Sequence, residues 1–91
     1  MKLPRRHDAT ITRQDFLRIL PAATGEDDIR ESAGCFFGRG WSLRLTAIPS
    51  LEIGSVRLER HRVEIEFDGL SEDQQERFMQ RFTLHYQRGG G

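Results

Sequence analysis

The chain has 91 residues, 14 basic and 14 acidic side chains that cancel to zero formal charge, and a single cysteine, Cys35. That length excludes two domains of ordinary size, and the cancelled charge removes the electrostatic footprint of a strong nucleic-acid or anionic-membrane binder. A lone cysteine excludes an intramolecular disulfide and a multi-cysteine metal site. The apolar share is about 45% once Gly is counted and Tyr is not, as in ordinary globular proteins. The expected object is therefore one α+β domain over residues 11–87: a short N-terminal helix, a three- to four-stranded antiparallel sheet and a C-terminal helix packed on one sheet face. A flexible arm (1–10) is expected before it and a flexible glycine tail (88–91) after it.

Residues 1–9 carry Pro4 and the run Arg5-Arg6-His7 with neither helical nor strand period, which reads as the arm. They are not followed by the apolar stretch of a secretory signal, and no segment approaches transmembrane length, so a cytoplasmic setting without a membrane is expected. A helix begins after Thr12, whose hydroxyl can cap the first turn; Asp15 stands at N3 of a capping box and Ile11 can staple onto Phe16. Phe16, Leu17, Ile19 and Leu20 give it an apolar side. Pro21, which has no amide hydrogen, is expected to end it after about two turns.

Residues 22–28 mix Gly25 with three acids and read as a loop, and residues 29–37 lean toward a weak strand. Gly38-Arg39-Gly40 turns the chain into Trp41, Leu43, Leu45 and Ala47, whose alternation with Ser42, Arg44 and Thr46 describes a strand with one wet face, ended by Pro49. Beyond it the apolar parity slips twice, from Leu51 and Ile53 to Val56 and Leu58 and back to Val63, Ile65 and Phe67. Gly54 is a candidate bulge, and residues 59–62 are either a hairpin loop or a bulge in one long bent strand. The hairpin is preferred, with residues 53–58 pairing antiparallel to residues 63–67.

Asp68-Gly69 turns the chain again. Leu70, then Ser71 with Gln74, form an apolar N′ residue and a capping box, and Glu72 and Asp73 suit the positive end of the helix that follows. Phe78, Phe82 and Tyr86 recur every four residues with Met79 beside them, a stripe that can lie across a sheet. The expected core joins Phe16, Leu20, Leu43, Leu45, Val63, Ile65, Phe67, Phe78 and Phe82.

Few motifs carry chemistry. The C-terminal Gly90 and Gly91 give a tail that resembles the ends of ubiquitin-like proteins and small sulfur carriers, a resemblance that implies adenylation of the terminal carboxylate by an activating enzyme. The element before it reads as a helix where the fold of those families places a strand. Arg57, Arg60 and Arg62 could contact phosphates, but Glu59, Glu64 and Glu66 interleave with them and cancel much of the field. Residues 12–18 resemble the twin-arginine export motif, yet Gln14 replaces the second arginine and the apolar segment that follows is too short, so the capped helix is the reading kept. His7, His61 and His85 show no metal-ligand spacing, and Cys35 beside Phe36 and Phe37 reads as a small buried hydrophobe. Glu64 and Glu66 read as the wet side of a strand.

These observations lead to a non-enzymatic protein-interaction or assembly module, with no cofactor and no metal. Its expected partner is another protein or a second copy of the chain, with nucleic acid disfavoured. Phe36, Phe37, Arg39 and Trp41 are the first candidates for its contact residues, because aromatic and arginine side chains dominate interface energetics. A carrier acting through Gly90 and Gly91, and a nucleic-acid binder using Arg57, Arg60 and Arg62, are the alternatives.

Overall fold

A computed structural model describes residues 2–89. Along the chain run β1 (Arg6–Ala9), α1 (Arg13–Thr24), β2 (Arg30–Ser32), β3 (Cys35–Phe37), β4 (Trp41–Ile53), β5 (Val56–Phe67) and α2 (Glu72–Gly89). The strands form one antiparallel sheet of order β1-β5-β4-β3-β2, so the class is α+β as expected, with five strands rather than three or four.

Both helices start as their sequences dictate. The Thr12 hydroxyl accepts the Asp15 amide at 3.0 Å, and Ser71 and Gln74 exchange both bonds of a capping box, at 2.8 and 3.2 Å. The helices run antiparallel against each other. Phe16 stacks on Tyr86 with ring centroids 4.7 Å apart, the Tyr86 hydroxyl donates to the Phe16 carbonyl at 2.8 Å, and Arg81 Nε donates to the Ala22 carbonyl at the other end of α1. Their shared apolar side meets one face of the sheet, where Phe16, Ile19, Leu20, Phe36, Trp41, Leu43, Val63, Ile65, Met79, Phe82 and Tyr86 form the core. Of the nine residues expected there, Leu45, Phe67 and Phe78 are half-buried at its margin and the other six are buried.

Four expectations are corrected. Pro21 does not stop α1. It sits one turn from the end, where its fixed φ suits a helix and one lost hydrogen bond is tolerated, and the helix closes instead at Gly25, left-handed at φ 76, whose N–H donates to the Pro21 carbonyl at 2.8 Å. The N-terminal segment is not wholly an arm, because Arg6–Ala9 adds an edge strand, held by the Asp8–Arg62 ion pair and, just before it, by the Leu3 N–H donating to Thr83 Oγ1. Residues 29–37 hold two short strands, joined by Ala33 and Gly34 at φ 52 and 82, the pair of positive values that a two-residue type I′ hairpin needs.

The fourth correction concerns the long hairpin. Residues 53–58 do not pair with residues 63–67. β4 runs on through Pro49 to Ile53 and pairs with β5 from Trp41↔Phe67 out to Ile53↔Val56. Pro49 and Ser50 together oppose Glu59, so the bulge lies there, and Gly54-Ser55 is the turn. Residues 59–62 are uninterrupted strand.

Candidate interaction surface

The outer part of the β4–β5 hairpin has no other strand beside it. β3 last pairs with β4 at Arg44 and β1 last pairs with β5 at His61, so from Ile48 and Arg60 outward the two strands have only each other among the described residues. Every residue from 51 to 59 is exposed. The turn suits its sequence: Gly54 takes φ 60 at the first central position, where type II′ geometry demands a residue without a Cβ.

Which way this arm points its side chains follows from the ladder. Residues directly opposite in an antiparallel pair share a face, so Leu51 with Leu58 and Ile53 with Val56 lie together, and Glu52 with Arg57 lie on the reverse. Stepping by twos along β5 from buried Val63 and His61 places Glu59 and Arg57 on the helix side. Leu58 and Val56 therefore continue the face turned away from α1 and α2. The two apolar pairs are 41% and 36%, and 60% and 54%, exposed. The Pro49–Ser50 bulge puts Leu51 and Ile53 on that face, since one extra residue inverts the side-chain alternation of β4 relative to Leu43 and Leu45.

The root of the arm is tied down. Glu59 Oε2 accepts the Arg13 amide at 3.0 Å at the start of α1, and buried His61 donates from Nδ1 to the Ile11 carbonyl at 2.9 Å with its Nε2 3.6 Å from Glu59. Inward of the root the open face is charged. Arg62 binds Asp8 through Nε at 2.9 Å and Nη2 at 3.4 Å, Arg6 reaches Glu64 at 3.8 Å, and Arg44 and Arg60 line the same face. The hydrogen bond from Arg62 holds the Asp8 carboxyl below the usual range, with the nearby arginines adding to the effect.

The residues singled out from sequence are scattered. Phe36 and Trp41 belong to the core, and Trp41 Nε1 donates to Glu26 Oε2 at 2.6 Å while the Arg39 amide donates to Glu26 Oε1 at 2.9 Å. Phe37, 42% exposed, lies on the open face at the end away from the arm, and the Arg39 side chain stands in solvent 3.9 Å from Asp28. Arg57 faces the helix side whereas Arg60 and Arg62 face the open side, and Arg62 is neutralised by Asp8, so the three do not form one basic surface. Gly90 and Gly91 lie outside the described residues. His7 donates from Nδ1 to the Pro4 carbonyl at 2.8 Å beside a cleft of about 290 Å³ between β1 and the two helices, at the lower limit of small-molecule sites.

The surface that sequence reasoning missed is Leu51, Ile53, Val56 and Leu58. Its signal was present: two apolar pairs placed symmetrically about Gly54-Ser55, the pattern of a two-residue hairpin with one apolar face. The chain matches no protein-family model, and no curated protein is significantly similar to it. No helix among the described residues is long and apolar enough to cross a membrane.

Proposed function

We propose that the chain is a non-enzymatic protein-interaction module that works through the apolar face of its β4–β5 arm. The observation that carries this reading is the alignment of Leu51, Ile53, Val56 and Leu58 on one helix-free face of a projecting two-stranded ribbon. Single exposed apolar residues are normal on a protein surface, but a contiguous set on an element with no core of its own points to binding. A two-stranded ribbon by itself is marginal in water, so a partner that covers this face also stabilises the element presenting it. The complementary partner is an apolar segment of another protein with an acidic residue at its inward end, since Arg60 continues the patch inward on the same face.

The experiment is affinity capture from host lysate by the full chain, with quantitative mass spectrometry, compared among three variants. Ile53→Asp should abolish capture of the specific partner, whereas Phe37→Asp and Leu84→Asp, at exposed apolar positions off the arm, should leave it unchanged. Capture that survives Ile53→Asp, or is lost equally in all three, contradicts the reading.

A further inference from the structure

We propose that the cleft between β1 and the two helices is a binding site for an uncharged, flat aromatic molecule of two fused rings carrying one hydrogen-bond donor, of the indole or naphthol kind. The site stands apart from the apolar face of the arm and shares no residue with it.

Size and lining set the scale. The cleft holds about 290 Å³, roughly twice the ~150 Å³ of a dry apolar cavity that takes a single benzene ring. Its floor is made of the core side chains Phe16, Val63 and Tyr86, and Leu3 and Ile11 add aliphatic walls. Phe16 and Tyr86 are stacked on each other, so the floor offers an aromatic surface that a flat ring can meet edge-on or offset. The space has a cause in the sequence. Ala9 pairs with buried His61 and so faces the helices, where its methyl leaves unfilled the room a larger side chain would take.

Charge and hydrogen bonding narrow the class. Asp8 is the only charged residue lining the cleft among the described residues, and Arg62 already binds its carboxylate, so neither an anion nor a cation meets a free counter-charge there. His7 fixes the polar requirement. A carbonyl only accepts, so the 2.8 Å contact of His7 Nδ1 with the Pro4 carbonyl places the proton on Nδ1. In the neutral ring Nε2 is then an acceptor, with no partner among the described residues. Phe82 holds the imidazole in an edge-to-face contact, ring centroids 6.3 Å apart. A ligand N–H or O–H is thus met by Nε2 while its rings cover the apolar floor, and the exposed Thr10 and Gln87 side chains form the wet mouth.

The test titrates the full chain with indole and follows the backbone amides by nitrogen–proton correlation NMR. Indene, of the same shape but without the N–H, and an indole carboxylate, which adds a negative charge, are the comparison probes. Indole should bind saturably with a Kd below about 1 mM and shift the amides of residues 7–11 and 86–87. Indene should bind about three- to tenfold more weakly through loss of one hydrogen bond, and the carboxylate should also bind more weakly than indole. His7→Phe, which keeps a ring but removes the acceptor, should bring indole down to the affinity of indene. Ala9→Leu, which fills the cleft, should weaken both probes roughly tenfold or more, with circular dichroism confirming that each variant is folded. The proposal is overturned by a wild type that shows no saturable indole binding, by equal affinities for indole and indene, or by a carboxylate that binds more tightly than indole. Indole binding untouched by His7→Phe, or surviving in folded Ala9→Leu, overturns it as well.

Discussion

Leu51 and Leu58 stand directly opposite each other across the β4–β5 ladder, on the side of the sheet away from both helices. Because neither touches the core, the apolar face they begin contributes little to folding of the isolated chain. Ile53→Asp and Val56→Asp should therefore change its unfolding free energy by no more than about 0.5 kcal/mol while removing partner capture. Urea denaturation of each variant checks this, and a loss of several times that amount would make the arm part of the core.

At the opposite end of the sheet, Glu26 holds the turn before β4 through two bonds, to the Trp41 indole and the Arg39 amide. Glu26→Ala leaves the buried indole N–H without its acceptor and should cost about 1–3 kcal/mol, with Trp41 fluorescence reporting a wetter ring.

Gly38 meets the Trp41 ring so closely that an added Cβ would lie 2.2 Å from it, whereas Gly54 at the arm's tip has open space around it. Gly38→Ala should therefore destabilise by about 1–3 kcal/mol through overpacking. Gly54→Ala, strained by its positive φ alone, should cost about 1–2 kcal/mol locally and fray the arm without lowering the thermal midpoint of the body. Thermal melts followed at Trp41 distinguish the two.

Burial raises the Tyr86 phenol above its ordinary pKa, and its hydroxyl donates to the Phe16 carbonyl. The folded state thus keeps a proton that the unfolded chain releases above about pH 10. The stabilisation is complete below that pH and is lost as pH rises beyond it. Tyr86→Phe should cost about 1 kcal/mol at pH 7 and flatten the alkaline fall in stability, as denaturation curves between neutral and alkaline pH would reveal.

Asp8 has the opposite sign. Its pKa is lowered by the hydrogen bond from Arg62, so its contribution is present above the ordinary carboxyl value of 3.8 and disappears as pH falls through the lower folded value. Carboxyl titration by NMR should place the Asp8 midpoint below 3.8, and Arg62→Gln should return it toward that value.

Much of the fold was legible where local chemistry decides it. Thr12 and the Ser71–Gln74 box mark both helix starts, and the spacing of Phe78, Phe82 and Tyr86 marks the buried side of α2. Pro21 misled because a proline's fixed φ is itself helical, so its missing bond does not end a helix whose cap at Gly25 and packed side hold the last turn. The hairpin misled for a deeper reason. On a strand with one buried face a change of apolar parity signals a register slip, but between Leu58 and Val63 the strand is regular and what changes is the face that is apolar, toward the helices in the body and away from them on the arm. Phe36 and Trp41 drew attention as aromatics, yet side-chain type alone cannot tell a core anchor from an interface anchor; the sheet register can.

The most direct test of the arm as an association element is amide hydrogen exchange on the full chain, alone at low concentration and again with the captured partner in excess, comparing residues 51–60 with residues 61–67 of the same hairpin. Exchange over 51–60 should be fast in the dilute chain and slowed in the complex, with 61–67 protected throughout. Protection of 51–60 equal to that of 61–67 in the dilute chain, or no gain on adding the partner, would contradict it.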